Sequence, residues 1–203
     1  MPSRKEAREY LIKMDPILGK AIAAIMLPQD RRPKDRFYAL ARAIIRQQLS
    51  GKAADSIERK FIDLCGGKFP QAAEMLKIKD SLMRRAGLSR AKTEYLKNLA
   101  RAVKTGEVDL EKIHRLSDDE IIEALTQVKG IGRWTAEMFL MFTLKRPDVF
   151  SYGDLGLRNA MMKLYSFRKH PPIHKAKKIV SKWSPHRTLA AMYLWATINQ
   201  KKK

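Results

Sequence analysis

Apolar residues recur at helical spacing along nearly the whole of this 203-residue chain. Phe37, Leu40, Ala41, Ile44 and Ile45 fall on one face of a predicted helix, and the segments that follow repeat the pattern. The alternation of apolar and polar residues that is typical of a half-buried strand does not appear. The spacing therefore predicts an all-α fold.

Helix start signals agree with this spacing. Asp15-Pro16 is typical of an N-cap followed by a first-turn proline, 117–120 of a capping box, and Ser184-Pro185 of a further cap. The predicted helices span residues 3–13, 16–26, 35–49, 52–65, 70–76, 79–84, 90–105, 118–127, 133–145, 155–165, 174–182 and 185–199.

The helical pattern is interrupted for longest in two segments rich in proline, charge and glycine, Leu27–Lys34 and Lys145–Gly153. Such interruptions favour lobe boundaries. We therefore predict a central helical lobe over residues 35–146 and a second helical lobe formed jointly by residues 1–34 and 147–203.

The charge of the chain points to a polyanionic partner. The 42 Lys and Arg residues against 21 Asp and Glu residues give a formal net charge of +21. Nucleic acid, an anionic membrane surface and a ribosomal position would all attract such a protein. Charge alone does not choose among them.

Several classes of protein are disfavoured by what the sequence lacks. It has no apolar run of about 18 residues that could span a bilayer, and its charged start does not resemble a secretory signal, so we expect an intracellular protein. The single cysteine, Cys65, cannot form an internal disulfide, a four-cysteine zinc site or a four-cysteine iron–sulfur cluster. Nothing predicts a nucleotide or redox cofactor.

The most informative segment is 125–136, where Gly130 and Gly132 flank Ile131 between a helix end and a helix start. Glycines there let a DNA backbone approach closely, and the N–H groups that open the second helix can bind a phosphate. The residues predicted to bind phosphate are Lys129, Gly130, Gly132, Arg133 and Thr135.

Ile131 is expected to plug into the protein and fix the hairpin. The outward carbonyls of Thr126, Val128 and Ile131 are candidates to hold a monovalent cation, Na⁺ or K⁺, that bridges to phosphate. The alternative interpretation of the segment is that Gly-x-Gly only ends one helix and begins the next.

Taken together, the segments Val128–Ala136, Asp148-Val149-Phe150 and Asp154 resemble the helix-hairpin-helix DNA glycosylases, specifically the 3-methyladenine DNA glycosylase II type. Segments at 15–18, 44–50 and 87–96 resemble the same family in the same order, so the resemblance covers nearly the whole chain. It is nearer to the compact members that lack an N-terminal β-domain.

The resemblance implies two helical lobes with an active-site cleft between them and a helix-hairpin-helix motif at about 118–145. It assigns Asp154 to the catalytic acidic position, although an aspartate at a helix start can be a plain N-cap. Leu49 matches the leucine that intercalates into the duplex, and Gln48 is expected to probe the opposite strand. The other interpretation of Leu49 is a core residue that continues the apolar stripe of residues 37–45.

Electron-rich rings suit a cationic, alkylated base. Trp134 and Trp195 are the candidates for the base pocket, with Tyr152 beside them, while Met138 stands where some relatives carry a tyrosine. The family members that also cleave the DNA strand carry a lysine nucleophile at the position of Trp134. No lyase activity is therefore expected.

These features predict a monofunctional glycosylase that removes 3-methyladenine and related alkylated bases from double-stranded DNA in base excision repair. The enzyme is expected to act as a monomer and to require no cofactor. Two alternatives stay open: a non-catalytic helix-hairpin-helix DNA-binding protein, and a glycosylase for other damaged purines.

Overall fold

The computed structural model describes residues 3–28 and 35–199. All regular elements in these residues are helical, which confirms the predicted all-α class. None of the described helices is long and apolar enough to cross a membrane. The segment Leu27–Lys34, which we singled out as an interruption, lies mostly outside the described residues.

The chain divides into two compact units, one made of Met1–Arg31 with Lys145–Lys203 and the other of Arg32–Leu144. In the described parts of the first unit, α1 is Arg4–Met14, α2 Pro16–Ala24, α10 Leu155–Leu164, α11 Ile173–Val180 and α12 Arg187–Asn199. In the second, α3 is Arg36–Arg46, α4 Gly51–Leu64, α5 Ala72–Lys77, α6 Asp80–Arg85, α7 Arg90–Thr105, α8 Asp118–Thr126 and α9 Arg133–Met138.

The first unit is built from both ends of the chain. Helix α12 packs against α10 and α2, and α1 packs against α2. Leu11, Leu18 and Ile22 from the N-terminal helices share full burial with Trp183 and Leu194 from the C-terminal part. Residues far apart in sequence therefore form one core, which supports the loop and helix that carry Asp154.

The second unit is one continuous stretch of chain. Helix α7 packs against α3, α5 and α6, and α8 packs against α9. The apolar stripe predicted for α3 is buried from Phe37 to Ile45. On the facing helix, Leu96 and Leu99 of α7 are fully buried as well. Helices α3 and α7 are thus packed against each other in this core, and both support the turns described below.

Two of the three predicted helix caps are confirmed and one is wrong. Asp15 caps α2 through Ile17 and Leu18, and Ser117 forms the capping box of α8. Ser184 does not cap α12, which begins only at Arg187. The Ser184 hydroxyl donates instead to Asp148 Oδ2, at 2.7 Å, and Asp148 Oδ1 accepts from the backbone N–H of Arg187. A carboxylate from another segment therefore replaces the local cap.

Two helices, α3 and α9, end three or more residues earlier than predicted. Helix α3 ends at Arg46 rather than at residue 49, because Gln48 adopts a left-handed conformation with φ of 56° that a helix cannot continue through. Helix α9 keeps α-helical hydrogen bonding only to Met138, and a π-helical turn, Phe139–Thr143, follows it. The first of these endings creates the turn that carries Leu49.

Candidate active site and nucleic-acid interface

Asp154 is the N-cap of α10 and is 9% exposed. Its Oδ1 accepts a hydrogen bond from the backbone N–H of Leu157 at 2.7 Å and another from Trp195 Nε1 at 2.9 Å. The N-cap interpretation and the catalytic one are therefore compatible. The same carboxylate caps the helix and is held in one orientation by an indole, in the positive field of a helix N-terminus.

Gly156 makes the contact between Asp154 and Trp195 possible. A Cβ atom at this position would lie 3.0 Å from Asp154 Oδ1 and 3.1 Å from both Cδ1 and Nε1 of Trp195. The absence of a side chain thus lets the indole reach the carboxylate. Sequence reasoning missed Gly156, because a glycine in the first turn of a helix gives no sign of which ring packs against it.

The segment that leads to Asp154 is held by an ion pair between Asp148 and Arg187. Arg187 Nε donates to Asp148 Oδ1 at 2.7 Å, and a second guanidinium nitrogen donates to Oδ2 at 2.9 Å. Burial opposes ionisation of Asp148, but the hydrogen bonds from Arg187 and Ser184 outweigh it and hold the pKa of this carboxyl below its usual range. The start of α12 is thereby tied to the segment that leads to Asp154.

Thr188 adds a second tie between the same two segments. Its backbone N–H donates to the carbonyl of Pro147 at 3.0 Å, its hydroxyl donates to the carbonyl of Arg146 at 2.6 Å, and the hydroxyl oxygen accepts from Val149 N–H at 3.1 Å. Thr188 is buried. The resemblance had pointed to residues 148–150 without giving their role, and the structure shows that they anchor the approach to Asp154.

Tyr152, predicted to line the base pocket, is partly buried in the same unit as Asp154 and Trp195. Its ring packs edge-on against Phe150, with 5.0 Å between the ring centroids. Burial raises the pKa of its hydroxyl, and the neighbouring Arg187 opposes that rise. Of the four predicted pocket residues, Tyr152 and Trp195 thus lie in the unit that carries the carboxylate.

The two glycines of the hairpin have different surroundings. Gly130 has a φ of 108°, and a Cβ there would lie 2.3 Å from Cγ of Tyr95. Gly132 has an ordinary φ of −91°, and a Cβ there would meet nothing within 4 Å. The expectation that both glycines make room for DNA needs correction at Gly130, where the missing side chain makes room for Tyr95. Only at Gly132 does the missing Cβ leave open space.

Ile131 is buried at 4% exposure, as expected for the residue that fixes the hairpin. Of the residues predicted to bind phosphate, Lys129, Gly132 and Arg133 are exposed and Gly130 is half-buried. Thr135 is buried, so its side chain belongs to the interior.

The two basic side chains of the hairpin each contact a glutamate. Lys129 Nζ lies 2.7 Å from Glu94 Oε1, and Arg133 Nε lies 3.0 Å from Oε1 of the buried Glu137. The hydrogen bond and the charge of Glu94 raise the pKa of Lys129. Because the Lys129 pair is exposed, it is weak and leaves the ammonium able to turn to a phosphate.

Trp134 and Met138 lie on α9, in the second unit. Trp134 is 46% exposed, which is unusual for a tryptophan in a helix that packs on one side. Met138 ends the α-helical part of α9 and is partly buried. Trp134 thus presents a partly exposed indole directly after the hairpin.

The turn between α3 and α4, Gln47–Ser50, which we call the wedge turn, carries both predicted wedge residues. Gln48 is left-handed, and Leu49 is 37% exposed. Leu49 therefore does not continue the buried stripe of α3, and the core interpretation of this residue is wrong. Ser50 caps α4 and ends the turn.

Two side chains hold the wedge turn from inside the second unit. Lys92 Nζ donates to the carbonyls of Ile45 and Gln47, at 2.7 and 2.8 Å. The side-chain amide of Gln47 donates to the carbonyl of Gly130 at 2.9 Å. Burial lowers the pKa of the Lys92 ammonium. Sequence reasoning missed both roles, since they depend on contacts between segments 45 or more residues apart.

No group of three or more histidine, cysteine, aspartate or glutamate side chains is placed to hold a metal ion in the described part of the chain. The ring nitrogen Nε2 of His170 lies 2.7 Å from Asn159 Oδ1.

Comparison with known proteins agrees with this arrangement. The chain is 41% identical over 166 residues to DNA-3-methyladenine glycosylase 1 of Schizosaccharomyces pombe, a match that covers 81% of this chain and 73% of the relative. It is 35% identical over 193 residues to a DNA-3-methyladenine glycosylase of Saccharomyces cerevisiae, covering 87% of this chain and 65% of that one.

Solved structures give the same result. A DNA-3-methyladenine glycosidase of Bacillus halodurans aligns with a TM-score of 0.86 at 32% identity, over 96% of this chain and 89% of that one. A 3-methyladenine DNA glycosylase of S. pombe in complex with abasic DNA aligns with a TM-score of 0.85 at 36% identity, over 98% of this chain and 100% of that one. The family model of the HhH-GPD superfamily base excision DNA repair proteins matches residues 41–186, and the chain belongs to this superfamily.

Proposed function

We propose that the protein is a monofunctional DNA glycosylase that hydrolyses the N-glycosidic bond of alkylated bases, 3-methyladenine foremost, in double-stranded DNA. The observation that carries the proposal is the placement of Asp154, whose Oδ1 is held by Leu157 N–H and Trp195 Nε1 at the start of α10. Relatives that share this fold are named DNA-3-methyladenine glycosylases.

In the proposed reaction the bond between C1′ and the base nitrogen breaks, and the base leaves with the bonding electron pair. Positive charge builds on the sugar, and the Asp154 carboxylate stabilises it. Water adds to C1′ and loses its proton to the carboxylate or to solvent, which leaves an abasic site. A base alkylated at a ring nitrogen is already cationic, so it leaves as a neutral molecule without being protonated.

The aromatic side chains suit a cationic base. An indole attracts a cation through its ring quadrupole and does not demand one hydrogen-bond pattern. Trp195 and Tyr152 are proposed to receive the base on the side of Asp154, and Trp134 and Met138 are proposed to contribute from α9. Because Trp134 stands at the position of the strand-cleaving lysine, the product should be an intact strand with an abasic site.

DNA contacts are proposed for the hairpin and the wedge turn. The N–H groups that open α9 after Gly132, together with Lys129 and Arg133, would bind backbone phosphates. Leu49 would fill the gap that the extruded base leaves, with Gln48 against the opposite strand. Such an enzyme acts where the genome lies, in the nucleoid or, in a eukaryote, the nucleus, and we expect it to act as a monomer.

The test is base release from duplex DNA treated with a methylating agent, measured by chromatography as free 3-methyladenine and 7-methylguanine. Asp154→Asn keeps an acceptor oxygen for Leu157 and Trp195 but removes the charge, so we expect release to fall by about 100-fold or more. Asp35→Asn is the matched control, because Asp35 is also an N-cap and accepts from Tyr38 N–H in the other unit. Strands should stay intact until alkali is added.

Other outcomes would favour the alternatives. If the parent protein binds duplex DNA with a steep salt dependence but releases no base, it is a non-catalytic DNA-binding protein. If it releases hypoxanthine or another damaged purine but not methylated bases, the lesion specificity proposed above is wrong while the reaction type stands.

We also propose that the carbonyls of Thr126, Val128 and Ile131 hold Na⁺ or K⁺. Neutral carbonyl oxygens can replace water molecules as ligands of an alkali cation. The Val128 carbonyl also accepts Ile131 N–H at 2.9 Å, which uses one of its lone pairs and leaves the other for a cation. Replacing K⁺ by tetramethylammonium at constant ionic strength should weaken duplex binding, and unchanged affinity would contradict the proposal.

A further inference from the structure

One face of α7 holds both turns that are proposed to touch DNA. Lys92, Tyr95 and Asn98 follow one another at intervals of three residues, a spacing that puts them on one side of a helix. Lys92 donates to two carbonyls at the end of α3 and in the wedge turn, while the Tyr95 ring fills the space beside Gly130. Asn98 Nδ2 lies 3.5 Å from the carbonyl of Lys129.

Gln47 closes this arrangement by linking the two turns directly. Its backbone carbonyl accepts from Lys92, and its side-chain amide donates to the Gly130 carbonyl at 2.9 Å. The residue that begins the wedge turn is therefore bonded both to α7 and to the hairpin. The Tyr95 ring packs directly against Gly130, so the acceptor of this bond is supported from the side of α7.

The positive φ of Gln48 explains why the wedge turn has to be held in place. A non-glycine residue with a positive φ is strained, and such a conformation persists only where its surroundings enforce it. Lys92 fixes the chain just before Gln48, and Ser50 fixes it just after by capping α4. Leu49 lies between these two fixed points and is 37% exposed.

We propose that Gln47 and Lys92 are positioning residues that couple the two DNA contacts, so that a phosphate bound at the hairpin sets where Leu49 enters the duplex. The proposal rests on the function proposed above and assigns separate roles to the hairpin and the wedge turn. The hairpin alone supplies affinity for any duplex. The bonds of Gln47 and Lys92 then make Leu49 insert at one base step, at a fixed distance from the bound phosphate.

The test separates binding from insertion. Gln47→Met keeps the length of the side chain and removes the amide donor, and Lys92→Met does the same for the ammonium. Each should leave the affinity for undamaged duplex within about twofold of the parent, because the phosphate contacts remain. Gln47→Met should lower base extrusion by up to about tenfold, the effect of one neutral hydrogen bond, and Lys92→Met should lower it by more than that because its donor is charged.

Extrusion is measured as the fluorescence rise of 2-aminopurine placed beside a tetrahydrofuran abasic analogue, a readout that needs no chemistry. If the parent gives this signal but releases no base, the proposed glycosylase activity fails while the coupling can still be judged. Lys97→Met is the matched control, because it removes a hydrogen-bonded ammonium between α7 and Asp80 of α6 without touching the hairpin or the wedge turn. It should leave the fluorescence signal unchanged.

A double-mutant cycle with Leu49→Ala distinguishes coupling from general stability. If Gln47 acts through the wedge, Gln47→Met has no further effect on extrusion once Leu49 is truncated. Additive effects would overturn the proposal, as would a loss of undamaged-duplex affinity equal to the loss of extrusion. Thermal unfolding of each variant shows whether the unit remains folded at the assay temperature.

Discussion

Asp15 and Asp154 are two aspartates of the first unit that look alike by local criteria. Each caps a helix, each is buried, and each accepts a hydrogen bond from an indole N–H. Asp15 uses both oxygens, Oδ1 for Ile17 and Leu18 N–H and Oδ2 for the Tyr165 hydroxyl and Trp183.

At Asp154 the Leu157 and Trp195 donors converge on Oδ1. The indoles differ as well, since Trp183 is fully buried whereas Trp195 is partly exposed. A buried, capping carboxylate is therefore not in itself a sign of catalysis. What distinguishes Asp154 from Asp15 is that its indole partner is partly exposed.

The largest effect expected from this comparison is on stability. Asp15→Ala leaves two backbone N–H groups, a phenol and an indole without their acceptor, and should lower the free energy of unfolding by about 3–5 kcal/mol. Asp154→Ala removes a cap and the acceptor of one partly exposed indole, so it should lower the free energy of unfolding less, by about 1–2 kcal/mol. Urea denaturation measures both, and similar losses in the two variants would contradict the distinction.

Replacing Trp195 should affect base release, whereas replacing Trp183 should affect stability. Trp195→Phe removes the indole donor to Asp154, so we expect single-turnover base release to fall about tenfold, within the range for a hydrogen bond to a charged group. Trp183→Phe should leave the rate of the folded enzyme unchanged and lower the free energy of unfolding instead. The comparison fails if Trp183→Phe slows base release as much as Trp195→Phe does.

The smallest effect is on the pH dependence of stability. Burial, together with the hydrogen bond to Asp15, raises the pKa of Tyr165 above its ordinary value of 10.0. The folded state therefore holds this proton more tightly than the unfolded state, and the stabilisation is complete below pH 10 and declines above it. Tyr165→Phe should flatten this alkaline decline in urea denaturation at pH 8 to 11.

Tyr38 provides an internal reference for that measurement. Burial, with the nearby Glu58 acceptor, raises its pKa to about 12 in the second unit. Its titration has the same sign and persists in the Tyr165→Phe variant. An alkaline decline that is identical in the parent and the variant would show that Tyr165 does not contribute.

Features that depend on neighbouring residues were predictable from the sequence. The caps at Asp15 and Ser117 are confirmed because each acceptor bonds N–H groups two or three residues further on. Ser184 failed as a cap because its hydroxyl bonds to Asp148, 36 residues earlier, which itself bonds the first N–H of α12. No local pattern reports such a partner.

The same limit applies to the site. A glycine at position 130 could be predicted from the hairpin pattern. The side chain that requires it, the ring of Tyr95, is 35 residues away in sequence. Gly156 was overlooked because Trp195 is required to explain it. Leu49 could be identified only through a family resemblance, because its apolar character fits the α3 stripe until the left-handed Gln48 is known.

The division of the chain also bears on how it acquires its structure during synthesis. Tyr10 donates to the carbonyl of Ser184 across 174 residues, so α1 and α2 leave the ribosome long before their partners exist. The contiguous second unit can fold in the meantime and shorten the loop that the chain ends must close. We therefore expect the segment that carries Asp154 to be completed last, after the hairpin of the second unit has formed.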